Sequence, residues 1–131
     1  MNRSDWNIKK RVRSFGYAFC GIADLFSQPN ACIHAAVTCI VLICGWWCDI
    51  SVTEWCLVIL CIGGVLMAEG FNTAIEYLAD KITKDHDPLV GMAKDVAAGA
   101  VLILVFAAVA VGLLIFLPKF VDKFQLLCGG M

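Results

Sequence analysis

Met67-Ala68-Glu69-Gly70-Phe71-Asn72-Thr73-Ala74-Ile75-Glu76-Tyr77-Leu78-Ala79-Asp80 is the stretch that decides how this chain is read. It begins while the sequence is still apolar enough to sit in a bilayer, yet it carries three carboxylates and an amide. At about 100° per helical residue, Glu69, Asn72, Glu76 and Asp80 fall within about a quarter turn of one another. Polar groups stacked on a helix that is leaving a membrane are costly to keep there, so the stretch reads as a functional site. Lys94-Asp95 then reopens the next apolar run. Acid, amide, acid and a cation at a membrane surface point to a metal-nucleotide site.

Around this stretch the chain divides into three apolar segments. The first spans about residues 31–48, the second about 52–80 with a cytoplasmic extension, and the third about 88–117. A spanning helix needs about 20 mainly apolar residues, and the run from Val96 to Leu117 contains no charge at all. Ser51-Val52-Thr53-Glu54 has the spacing of a capping box and starts the second helix. Asp87-Pro88 supplies an N-cap and a proline at the first helical position, opening the third. Pro118 and Gly129-Gly130 fit an ending after the last span. Before the first span, over about residues 5–27, Val12, Phe15, Phe19, Ile22 and Phe26 recur every three or four residues. With Lys9, Lys10, Arg11 and Arg13 crowding its start, this segment reads as an amphipathic helix lying in the membrane interface.

The fold expected is therefore all-α and integral to the membrane, with an N-terminal amphipathic interfacial helix and three transmembrane helices in one domain over residues 1–131. A mean hydropathy of +0.85 separates the chain from soluble domains. A net charge of −1 gives no reason to expect a nucleic-acid partner. Five of the eight cysteines lie inside apolar runs and no CxxC pair occurs, so they read as small hydrophobes rather than as a disulfide framework. The first residues, Met1 to Arg13, lack the apolar core of a signal peptide. Most Lys and Arg fall on the N-terminal side if three spans are drawn, with only Lys119 and Lys123 on the other. The positive-inside rule then places the N-terminus and residues 69–95 in the cytoplasm, where nucleotide triphosphate is available.

A carboxyl at Glu69, partly desolvated where the helix meets the interface, suits a general base acting on an alcohol; it could equally be a packing acid paired with Lys94 or with a neighbouring chain. Glu76, two turns further on, suits a hard cation that takes few carboxylates and several phosphate oxygens. Asn72 could orient either acid. Asp80 could continue the stripe or pair with Lys84. Lys94 can reach a polyphosphate as a point charge. Asp85-His86-Asp87 forms the turn beside it. His34, in the first span, reads as an interhelical hydrogen-bonding group. No P-loop, GxGxxG or HExxH pattern is present.

The strings Glu69-Gly70-Phe71-Asn72-Thr73-Ala74-Ile75-Glu76 and Ala93-Lys94-Asp95-Val96-Ala97-Ala98-Gly99-Ala100 resemble the signature of the small prokaryotic diacylglycerol kinase and undecaprenol kinase family. Ser14-Phe15-Gly16-Tyr17-Ala18-Phe19 resembles its N-terminal helix, and Asn30 with Ile33-His34 the start of its first span. The resemblance implies a homotrimer in the bacterial cytoplasmic membrane, with active sites shared between protomers, that moves the ATP γ-phosphate onto a lipid alcohol. It implies Glu69 as base, Asn72 as its support, Glu76 as a Mg2+ ligand, and Lys10, Tyr17, Asp85, His86, Asp87, Lys94 and Asp95 around ATP. Ala98 falls where the family approaches its lipid.

The chain departs from the pattern at one place. The family's second metal-binding Glu is here Gln28, which brings no charge, and Asp24, one turn earlier, is a candidate substitute. Two other function classes remain open. A proton-coupled transporter predicts a mid-span acid and inverted repeats, whereas Glu69 ends its span and no repeat is visible. A catalytically silent member serving as a membrane assembly subunit would follow if Gln28 disabled the site.

Overall fold

The computed structural model describes residues 8–128, with side chains as far as Gln125, so the start of the segment expected from about residue 5 lies outside the described residues. Four helices follow in chain order: α1 (Ile8–Leu25), α2 (Pro29–Trp47), α3 (Val52–Ile82) and α4 (Pro88–Cys128). The last three are each long and apolar enough to cross a membrane, α4 over Pro88–Gln125. α3 packs most extensively against α4, and α1 and α2 lean on α3.

The helix ends follow the local sequence. Ser51 accepts a hydrogen bond from the Glu54 amide at 3.3 Å, and the Glu54 carboxylate accepts from the Ser51 amide at 2.6 Å, completing the expected capping box. Asp87 Oδ1 accepts from the amides of Leu89 and Val90, at 2.8 and 3.1 Å, and so satisfies two otherwise unpaired donors of α4. α2 ends at Trp47, and Asp49, just past the C-cap Cys48, has a φ of 49° in the left-handed region that Asp tolerates. There the Ile50 amide returns to the Gly45 carbonyl and the Asp49 amide to that of Trp46.

α4 does not stop at Pro118. The helix runs through it to Cys128, although proline removes one backbone hydrogen bond and crowds the preceding turn. Contacts beyond the proline offset that loss. Lys119 pairs with Glu54 at 3.3 Å, and Lys123 with Asp49 at 3.7 Å. Lys123 also donates to the Trp47 carbonyl and lies 5.0 Å above the Trp47 ring, which itself packs on Phe120. The last turns of α4 thus dock on the α2–α3 connection. A compact apolar cluster of Cys48, Ile50, Val58, Ile115 and Phe116 lies beneath, at the end of the bundle remote from Glu69.

Gly45 is required by this packing. A Cβ there would lie 2.7 Å from Trp55 Cη2 and 3.1 Å from Ile50 Cδ1. Gly45→Ala is therefore expected to destabilise the protein by about 1–3 kcal/mol through overpacking, read as a lower thermal unfolding midpoint in detergent. Gly63→Ala, where a Cβ meets nothing within 4 Å, should leave the midpoint unchanged or raise it.

Candidate functional site

Among the described residues the buried polar side chains are Glu69, Asn72 and Thr73, all within five residues of α3. Helical periodicity puts them on the face that α3 turns inward, one turn apart. Glu69 is 3% exposed and has no hydrogen-bond or ion-pair partner among the described residues. Asn72 donates from Nδ2 to Glu76 Oε1 at 3.1 Å, while its Oδ1 is buried without any partner. Buried polar atoms are almost always paired, because an unpaired one costs about 1–3 kcal/mol. The orphaned Asn72 Oδ1, one turn from a Glu69 that makes no hydrogen bond among the described residues, therefore marks a place prepared for something else.

Two turns towards the α3–α4 connection the surface changes character. Asp80, Lys84, Asp85, His86, Asp87 and Lys94 line a polar cleft of about 430 Å³ where α3 gives way to α4. Lys94 Nζ lies 3.1 Å from Asp80 Oδ1, so Asp80 pairs across to the antiparallel α4 rather than with Lys84 on its own helix end, and Lys94 is not the partner of Glu69. Both partners are largely solvated, and such a pair is worth at most about 1 kcal/mol, so a polyphosphate entering the cleft can take Lys94 over cheaply. The cleft combines cationic groups with the Asp87 cap at a helix start.

The structure brings together Glu69, Asn72 and Glu76 on α3, and Asp85, His86, Asp87 and Lys94 in the cleft. It leaves Lys10 and Tyr17 exposed on α1, and Asp95 and Ala98 exposed on α4, outside the cleft. Gln28 Nε2 donates to the Tyr77 hydroxyl at 2.7 Å. Tyr77 was not singled out by the sequence, since its partner lies 49 residues away and no periodicity links them. His34 lines an apolar cavity of about 210 Å³ between α2, α3 and α4 and has no hydrogen-bond partner among the described residues, contrary to the expectation of an interhelical bond.

A divalent cation can be tested against these groups. No cluster of three or more His, Cys, Asp or Glu able to hold a metal occurs among the described residues. Magnesium, a hard cation, takes one or two carboxylates and completes its shell with water and phosphate oxygens. Glu76 and the orphaned Asn72 Oδ1 are both hard oxygen donors.

The catalytic class of this helical membrane protein follows from comparison with known families. Residues 16–116 match the family model for prokaryotic diacylglycerol kinase, and the chain belongs to that family of membrane lipid kinases. It is 46% identical to an undecaprenol kinase of Bacillus subtilis over 113 residues, covering 86% of this chain and 92% of the relative. It is 31% identical to a diacylglycerol kinase of Synechocystis over 121 residues, covering 90% of this chain and 69% of the relative. Identity to the diacylglycerol kinase of Escherichia coli is 28% over 99 residues, covering 75% of this chain and 81% of that one. A kinase of this family uses ATP and acts on a lipid.

Proposed function

We propose that this protein transfers the γ-phosphate of ATP to the hydroxyl of a membrane lipid alcohol at the cytoplasmic face of the bacterial membrane, with undecaprenol the preferred substrate over diacylglycerol. The observation that carries the reading is the buried, unpartnered Glu69 beside an Asn72 whose Oδ1 is also unpaired. A carboxylate largely buried and left free of partners is available to take the proton of an alcohol as its oxygen attacks phosphorus. Asn72, one turn from Glu69, is already tied to Glu76 and would hold that acid in place along α3.

Glu76 and Asn72 would hold magnesium, which supplies charge neutralisation on the phosphate oxygens when bound with ATP. Asp85, His86, Asp87 and Lys94 would hold the nucleotide in the polar cleft, with Lys94 released from Asp80. Phosphoryl transfer needs little covalent help from protein, so positioning and charge compensation supply most of the acceleration. Lys10, Tyr17, Asp95 and Ala98 are exposed, and in a homotrimer they are free to complete the site of a neighbouring protomer. The exposed apolar residues of α1, including Val12, Phe15, Phe19 and Ile22, support its lying among acyl chains at the interface. The preference for undecaprenol is supported by the higher identity to the kinase named for that lipid.

The test is γ-phosphate transfer from radiolabelled ATP in mixed micelles offering undecaprenol and diacylglycerol separately. Labelled undecaprenyl phosphate, formed faster than labelled phosphatidic acid, is the expected result. Labelling of diacylglycerol alone would reassign the substrate. Label in neither lipid at any magnesium concentration would overturn the reading.

A further inference from the structure

Gln28 occupies the N-cap of α2 with an extended backbone (φ −82°, ψ 137°), yet its side chain makes no capping hydrogen bond. Short polar side chains at that position fold back on the helix amides, whereas the longer Gln reaches away. It crosses to α3 and donates to the Tyr77 hydroxyl at 2.7 Å, while its backbone carbonyl accepts from Cys32. The Asp24 carboxylate, in the last turn of α1, lines the same groove as Tyr77. A phenol that accepts from Gln28 still has its own proton to offer to an acceptor such as Asp24. The Tyr77 hydroxyl thus ties the start of α2 to the turn of α3 that carries Glu76.

A Gln engaged in this way is poorly suited to hold a cation. It carries no charge, its side-chain amide is turned to the Tyr77 hydroxyl so that only a neutral carbonyl is left to offer a cation, and Glu76 Oε1 is engaged by Asn72. We infer that Gln28 and Tyr77 form a positioning strut between the α1–α2 junction and α3, and that Gln28 is not a metal ligand in this chain. This rests on the lipid-kinase reading for its effect on the reaction. Asp24 and Tyr77 both line an apolar groove of about 870 Å³ between α1 and α3, alongside Met67 and Gly70, the near neighbours of Glu69. Loss of the strut frees α1 to shift over that groove and acts on the lipid side of the reaction. The metal requirement stays with Asn72 and Glu76.

The experiment is a double-mutant cycle on the full-length protein in detergent-lipid micelles, with Gln28→Ala, Tyr77→Phe and the double variant. Each single variant should raise the KM for the lipid about threefold to tenfold, the factor one hydrogen bond commands, with kcat and the KM for ATP little changed. The double variant should be no worse than the poorer single one, because both remove the same bond. Binding of Mn2+ in the presence of a non-hydrolysable ATP analogue, read by electron paramagnetic resonance, should be unchanged in all three. Additive effects in the cycle would overturn the strut. A roughly tenfold or greater loss of Mn2+ affinity in Gln28→Ala, with none in Tyr77→Phe, would restore Gln28 as a ligand. If the wild type phosphorylates no lipid, the kinase reading falls. The strut is then decided by whether the shifts in thermal unfolding midpoint are non-additive, which sustains it, or additive, which sinks it.

Discussion

Glu69→Gln is expected to lower kcat for lipid phosphorylation by about 10²- to 10⁴-fold, the range that a positioned general base supplies. The substitution keeps the shape of the side chain and removes only its capacity to accept a proton. Glu69 is 3% exposed and makes no hydrogen bond or ion pair among the described residues, so the amide breaks no contact that the carboxylate made. Burying a neutral amide also costs less than burying a carboxylate, so the thermal midpoint should hold or rise. Binding of the ATP analogue should be unaltered, since the polar cleft begins about three turns away at Ala79 and Asp80. A variant that keeps more than a tenth of wild-type kcat would move the proton acceptor elsewhere.

Glu76→Gln should cost about 100-fold in kcat/KM, with a clear rise in the magnesium concentration needed for half-maximal activity. The reason differs from that at Glu69. A Gln at 76 can still accept from Asn72 Nδ2 through its carbonyl, so the geometry given by the 3.1 Å bond survives while the negative charge is lost. The loss should therefore be recovered in part by raising magnesium, which no concentration achieves for Glu69→Gln. Steady-state kinetics over a magnesium titration separates the two variants. Equal, magnesium-independent losses at both positions would mean that Glu76 does not serve the cation.

Much of the architecture could be read from local pattern. The capping box at Ser51–Glu54, the Asp87 cap and the apolar runs lie within a few residues of what they control, and the structure realises all of them. The polar stripe of α3 was equally legible, because residues three and four apart on a helix share a face whatever surrounds it. Two details depended on longer range. Pro118 signalled a helix end by its local chemistry, yet contacts of Lys119 and Lys123 with residues more than 60 positions away carry α4 past it. Asp80 had a plausible partner in Lys84 on its own helix end, but the antiparallel packing of α4 delivers Lys94 instead.

The sequence by itself determined that the chain is helical and membrane-spanning, where α3 and α4 begin, and which face of α3 holds its acids. Each of these follows from hydrophobic length, caps and a 3.6-residue period. Only the tertiary structure decided which polar atoms are left without partners, that Gln28 spends its amide on Tyr77, and that Lys94 is held by so weak a pair. Those outcomes depend on distances between segments far apart in the chain. Burial and pairing are properties of the packed helices, and no spacing within one helix encodes them.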